Sequence, residues 1–217
     1  MTERVYYASD ATEGRAQIIG CRAEADGRYA IELDRTLFHP QGGGQPSDSG
    51  WIDEQVVTAV ATRGDSVLHI VEQPLPLGEV KIRIDASARQ LHARLHSAGH
   101  LLGLAGEQLG WRPVKAHHWP GEGRITFAAG AGAALPEAST LLTQVSAWQQ
   151  QDLPRRITFA NGLRAVGFGD LPAYPCGGTH VASLAALGNI VISQLKMKKG
   201  QMIVSYNLEL VFQACSG

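Results

Sequence analysis

Residues 85–110 read DASARQLHARLHSAGHLLGLAGEQLG. Leu91, Leu95, Ala98, Leu102, Ala105 and Leu109 recur at three- and four-residue steps, the stripe of an amphipathic helix. Asp85 stands where an N-cap belongs, its carboxylate able to accept from the first free backbone N–H groups, and Gly110 is a natural stop. His92, His96 and His100 follow one another four residues apart, so their imidazoles project from one helical face.

Upstream of this helix the chain reads as strands and turns. Apolar runs at Tyr29–Leu33, Val56–Ala61 and Val67–Val71 are separated by Gly, Asp and Pro, which predicts a small β-rich, barrel-like unit. Pro74, Pro76 and Gly78 mark a loop, and a last strand, Val80–Ile84, leads into the helix. Downstream, a second helix is predicted from about Pro136 to Gln151, with Leu141, Leu142, Val145 and Trp148 as its buried face. Ala128–Ala134, rich in Ala and Gly, reads as a loop. Val191–Met197 and Met202–Phe212 flank a Lys-Lys-Gly-Gln turn, a hairpin whose second strand alternates Met202, Val204, Tyr206, Leu208, Leu210 and Phe212 with more polar neighbours. Strands and helices do not alternate regularly, so the expected class is α+β. The expected division is a β-barrel-like domain over 1–84 and an α+β domain over 85–217, helices on an antiparallel sheet.

Composition excludes several classes and selects none. Nineteen Lys and Arg against twenty Asp and Glu leave a formal net charge of −1, unlike a dedicated duplex binder. Any nucleic-acid contact must rest on local clusters: Arg89 with Arg94, Arg112 with Lys115, Arg155 with Arg156, and Lys196 with Lys198 and Lys199. Taken alone, such clusters are better explained as solvated faces. The start MTERVYYASD has no basic region followed by an apolar run, and no segment approaches the ~20 apolar residues of a membrane span. Cys21, Cys176 and Cys215 are odd in number and far apart, which argues against a disulfide framework. A cytoplasmic protein is expected, with no membrane contact and, by default, a monomer.

The chemistry lies in two pairs of ligand-type residues. His96 and His100 offer two nitrogens from one helix face, and Pro-Cys-Gly-Gly-Thr-His brings Cys176 and His180, also four apart, in a glycine-containing turn. Thiolate and imidazole are the donors that zinc prefers. His92 with His96 satisfies the same helical spacing, and helix geometry alone does not choose between the pairs. Cys176 also has a rival reading as a nucleophile beside histidine.

HSAGH at His96–His100 followed by CGGTH at Cys176–His180 resembles the HxxxH and CxxxH pair of the alanyl-tRNA synthetase editing domain. FHPQGGGQPSDSG, residues 38–50, resembles the glycine-rich motif that precedes that pair in the same family. The three stand in family order and the likeness runs from about residue 30 to 210, without a synthetase domain, as in the medium-length free-standing alanyl-tRNA editing proteins. The threonyl-tRNA synthetase editing domain is similar in the second half but lacks the glycine-rich motif.

The resemblance implies that His96, His100, Cys176 and His180 bind one zinc ion and form the catalytic centre. It implies that Gly43, Gly44, Gln45, Asp48, Ser97 and Thr179 border the substrate. The implied partner is an alanine tRNA wrongly charged with serine, glycine being a second candidate, and the implied reaction is hydrolysis of the aminoacyl ester. Four permanent ligands would close the ion, a structural arrangement; with Cys176 labile or absent, three histidines would leave an open position. Two departures bear on selectivity. Ser97 stands where the family commonly has threonine, and VKAHHWPGEG at Val114–Gly123 brings His117 and His118 where the synthetase form often has a pocket glutamine. Competing readings are a zinc-stabilised tRNA-binding module without catalysis and a zinc hydrolase of small aminoacyl esters.

Overall fold

The computed structural model describes residues 1–209. The expected strand positions Leu210 and Phe212, and Cys215, lie outside the described residues. The class is α+β: sixteen strands and two α-helices among the described residues. In chain order the strands are β1 (Glu3–Arg4), β2 (Glu13–Ala23), β3 (Tyr29–Leu33), β4 (Arg35–Thr36), β5 (Gly50–Ile52), β6 (Gln55–Val57), β7 (Ala59–Arg63), β8 (Ser66–Val71) and β9 (Gly78–Ile84). Then come α1 (Ala86–Gln108), β10 (Trp111–His117), β11 (Gly123–Ala129), α2 (Ala138–Gln150), β12 (Arg155–Ala160), β13 (Leu163–Phe168), β14 (Tyr174–Pro175), β15 (Ile190–Lys198) and β16 (Gln201–Leu208). Chain contacts divide the protein into two compact units: residues 1–93 with 157–166 and 174–179, and residues 94–156 with 167–173 and the chain from 180.

The first unit is built on a seven-stranded antiparallel sheet in the order β6-β5-β9-β2-β3-β8-β7. Its two edge strands, β6 and β7, are consecutive and joined by Thr58, whose N–H donates to the Ile70 carbonyl, so the sheet nearly closes on itself. Period-two alternation drives the inner face. In β9, Val80, Ile82 and Ile84 are buried and pack with Ile18, Leu33, Phe38 and Val67.

The second unit holds a four-stranded antiparallel sheet, β10-β11-β16-β15. Met202, Val204, Tyr206 and Leu208 form the buried face of β16, as the alternation predicts. Tyr206 Oη donates to the Leu95 carbonyl at 3.0 Å, which holds α1 on this sheet. Leu141, Val145 and Trp148 bury the inner face of α2, while Leu142 is only half-buried.

Three local expectations change. Asp85 caps α1 as expected, its Oδ1 accepting the Ala88 N–H at 3.0 Å, but the helix is not a one-sided amphipath. It is buried nearly all round from His92 to Gly106, Leu91 is half-buried and Leu109 is exposed. The 128–134 stretch is not all loop, because Ala128 and Ala129 complete β11, Ala128 pairing with Gln201 and Arg112 and Ala129 with Trp111. The second helix begins at Ala138, two residues after Pro136. No helix among the described residues is long and apolar enough to cross a membrane.

Candidate metal centre

The spacing of α1 and the turn after β14 bring four ligand-type side chains together. The ligand atoms of His96, His100, Cys176 and His180 all lie within 4.8 Å of one another, a set that could hold a metal ion. Ring centroids stand 5.1 Å apart for His96 and His100, 4.6 Å for His96 and His180, and 4.4 Å for His100 and His180. His96 and His180 are buried, and His100 and Cys176 half-buried. Between the two candidate pairs on α1, the geometry selects His96 with His100. His92 stands outside the cluster, and its Nδ1 is the one buried side-chain polar atom without a hydrogen-bond partner among the described residues.

Neighbouring groups hold these side chains. Ser97 Oγ accepts the Val181 N–H at 3.1 Å and lies 3.2 Å from His180 Nδ1, a contact that orients the ring. Arg155 donates to the His180 carbonyl at 2.7 Å. The Gly178 N–H points at Cys176 Sγ from 3.3 Å. Burial pushes the Cys176 thiol above its ordinary range, against the pull of the Gly178 N–H and the Arg164 guanidinium. Arg164, which no sequence signal singled out, donates to the carbonyls of Cys176 (2.7 Å), Gly178 (2.9 Å) and Tyr7 (3.0 Å) and so sets the shape of the cysteine loop.

The glycine-rich segment forms a tight reversal. Gly42 and Gln45 bond to each other through both backbone groups, and Gly43 and Gly44 between them have φ of 58° and 77°. Two successive residues in the left-handed region are the signature of a primed hairpin turn and favour glycine. Gln45 and Asp48 are then buried and bonded inside the protein. Gln45 exchanges two hydrogen bonds with Thr179, and Asp48 receives the Arg89 guanidinium and the His39 N–H. Arg89 thus serves Asp48, and its Nη2 also donates to the Leu37 carbonyl at 2.6 Å.

The basic clusters separate into two kinds. Arg94 donates to the Leu187 carbonyl, Arg155 to His180 and Arg156 to Leu171, so those guanidinium groups are engaged within the fold, as is Arg89. Arg112 and Lys115 on β10, and Lys196, Lys198 and Lys199 on β15 and its turn, are exposed on the two edge strands of the four-stranded sheet. Of the two adjacent histidines, His117 is half-buried, stacks on Trp119 and lies 3.3 Å from Glu122, whereas His118 is buried and stacks on His96 with centroids 4.4 Å apart. The partner of His118 is Tyr206, 88 residues away, a pairing without any local signal in the sequence.

An α+β fold that carries a helix-borne histidine pair, a Cys-Gly-Gly-Thr-His loop and a glycine-rich turn bonded to that loop through the buried Gln45 defines an editing-domain-like protein with a His/Cys cluster that could hold a metal ion. No family model matches the chain. It is 30% identical over 205 residues to the alanyl-tRNA editing protein AlaX-M of Pyrococcus horikoshii, covering 88% of this chain and 89% of that protein. To AlaX-L of the same organism it is 28% identical over 225 residues, 91% of this chain and 55% of the relative. To the alanine–tRNA ligase of Metallosphaera sedula it is 27% identical over 249 residues, 94% of this chain and 26% of the ligase. The chain belongs to the alanyl-tRNA editing protein family.

Proposed function

We propose that the protein is a trans-editing hydrolase that removes serine, and secondarily glycine, from mischarged alanine tRNA with the help of one zinc ion. The observation that carries this reading is the convergence of His96, His100, Cys176 and His180 in a chain of this family. The donor set fits zinc. Four N and S ligands at 2.0–2.3 Å from a tetrahedral ion stand about 3.3–3.8 Å apart, and the four atoms are already within 4.8 Å of one another. When bound, zinc would supply Lewis acidity, polarising the ester carbonyl and lowering the pKa of water to about 7.

The chain's own residues do the rest on this reading. Ser97 keeps the His180 ring in position, and Arg164 and the Gly178 N–H hold the Cys176 turn. Gly43 and Gly44 leave room for the aminoacyl end beside Gln45, Asp48 and Thr179; the bonds between Gln45 and Thr179, and those of Asp48 to Arg89 and the His39 N–H, keep that wall rigid. The exposed lysines and arginines at the sheet edges supply the phosphate contacts, which a chain of net charge −1 must gather locally.

The test is a deacylation panel of seryl-, glycyl- and alanyl-tRNA(Ala) with purified protein. Rapid release of serine, slower release of glycine and sparing of alanine are expected. Binding of the tRNA without turnover of any of the three would instead favour a non-catalytic binding module. Equal turnover of free seryl-adenosine and seryl-tRNA would favour a small-ester hydrolase.

A further inference from the structure

The four strands of the second unit's sheet contain no Asp or Glu, yet they carry Arg112, Lys115, Arg124, Lys196 and Lys198. The register of the ladders puts all five on one face. Lys115 of β10 and Lys196 of β15 end one row, with Thr126 and Ile203 between them. Arg112 and Lys198 end the next, with Ala128 and Gln201 between. Arg124 of β11 stands in a third row beside Ser205. Ile125, Phe127, Met202, Val204 and Tyr206 point the other way and are buried in the core, whereas no residue named in these rows is buried.

Two bulges make this arrangement. The ladder shifts between Pro113 and Lys115, and again between Ile192 and Gln194, which leaves Val114 and Ser193 as the extra residues. A bulge re-aims the side chains that follow it. Strict alternation would have sent Lys115 to the inner face with Pro113, and Lys196 and Lys198 to the inner face with Ile192. The charges so gathered are not neutralised by neighbours. Arg15, Arg28, Arg35 and Arg63 of the first unit each sit in an ion pair, but none of the five sheet cations is ion-paired with a described residue. Lysines on edge strands also guard against edge-to-edge pairing, which accounts for β10 and β15 but not for Arg124 on an inner strand.

We propose that this face docks a double-helical RNA stem, its two cationic rims meeting the two phosphate backbones and its centre lying against the minor groove. Three interstrand spacings of about 4.8 Å set the rims about 14 Å apart. An A-form helix presents a wide, shallow minor groove lined with 2′-hydroxyls and flanked by its two backbones. Thr126, Gln201 and Ser205 offer hydroxyl and amide groups to it. No aromatic side chain of the kind on which single strands stack stands between the rims. Ile203 is the one large apolar residue there and is half-buried, too little for insertion into a lipid surface. That the stem belongs to alanine tRNA rests on the editing function proposed above.

The experiment measures binding of an unacylated RNA hairpin stem, the matching single strand, and vesicles of phosphatidylserine in phosphatidylcholine over a range of salt, with melting temperature as the check on folding. The wild type should hold the stem more tightly than the single strand and should not bind the vesicles. Each duplex phosphate contact adds about 0.9 to the slope of log K against log salt, so Arg112→Gln with Lys115→Gln should lower the slope by about two. Lys196→Gln with Lys198→Gln should lower it by about two as well, and Arg124→Gln by about one. Arg124→Lys should retain the slope. An effect confined to one edge, no effect of Arg124→Gln, equal affinity for the single strand, or binding to the vesicles in place of the stem would overturn the assignment. If the wild type deacylates seryl-tRNA(Ala) while loss of all five charges leaves stem binding unchanged, this inference alone fails. If the five charges govern stem binding but seryl-tRNA(Ala) stays intact, the editing reading fails and the RNA-docking face stands.

Discussion

Gln45 and Thr179, 134 residues apart, hold each other through two hydrogen bonds: Gln45 Nε2 donates to Thr179 Oγ1 at 2.8 Å, and the Thr179 N–H donates to Gln45 Oε1 at 3.0 Å. The glycine-rich turn is thereby fastened to the residue immediately before His180. Gln45→Ala leaves the buried Thr179 N–H without its acceptor and should cost about 1–3 kcal/mol of stability. It should lower deacylation roughly tenfold while one metal per chain remains, because Gln45 is no ligand. Denaturant unfolding with elemental analysis checks this; an unaffected rate would mean that the turn does not shape the site.

Asp48 and Arg89 form a buried ion pair, with side chains 1% and 10% exposed. Arg89 Nε lies 3.0 Å from both carboxylate oxygens, Nη2 also contacts Oδ2, and the His39 N–H adds a third donor at 2.7 Å. Asp48→Ala should destabilise the fold by about 3–5 kcal/mol, because it leaves a buried guanidinium uncompensated. The double variant Asp48→Leu with Arg89→Met should cost much less than the sum of the single changes. Additive losses in that cycle would show that the two groups act independently.

Much of the fold was legible because its signals are local. Asp85 and Gly110 bracket α1, apolar runs bounded by turn residues mark β3, β8 and β9, alternation marks β16, and Lys-Lys-Gly-Gln turns the last hairpin. The candidate ligands were legible because two four-residue spacings survive in the linear chain. What escaped depends on the partner chosen in three dimensions. Arg89, Arg94 and Arg155 read as basic surface, but each guanidinium reaches a carboxylate or carbonyl inside the protein. The stripe on α1 was read as one-sided because glycine, serine and histidine score as polar, although Ser97 and Gly99 are packed and His96 is buried. Ala128 and Ala129 carry no strand signal of their own and are drawn into β11 by its ladders. Nothing near His118 announces Tyr206.

Acid should weaken the protein through buried neutral histidines. Burial holds His39 and His69 down to about 4, against an ordinary value of 6.5. His69 is locked in place by Thr36 Oγ1 at 2.7 Å and the Ile31 carbonyl at 3.1 Å. Between those values the unfolded chain binds protons that the native state refuses, so this stability is complete above pH 6.5 and falls as pH drops toward 4. Each histidine contributes a slope of about 1.4 kcal/mol per pH unit in that window. Chemical denaturation at pH 7, 6 and 5 should give that decline, and His69→Gln should flatten it by one histidine's share. A wild-type stability independent of pH across the window would contradict the assignment.

Binding of the tRNA body should be local and ionic. Lys196, Lys198 and Lys199 crowd one exposed hairpin end. Replacing all three with Gln should weaken tRNA binding and lower the slope of log K against log salt by about two to three. An unchanged slope would make them a solvated turn and leave Arg112 and Lys115, on the opposite edge of the same sheet, as the basic site to test next.

On the editing reading, His96, His100, Cys176 and His180 hold a zinc ion that the reaction requires. The most direct measurement follows seryl-tRNA(Ala) deacylation by protein as purified, after removal of metal with a chelator, and after return of one equivalent of zinc, with metal content determined at each stage. Lewis-acid assistance is worth several kcal/mol, so stripping should slow the reaction at least about a hundredfold. One zinc per chain should restore it, and His180→Ala should abolish both the binding and the recovery. Metal-free protein that deacylates seryl-tRNA(Ala) at the original rate would contradict the account.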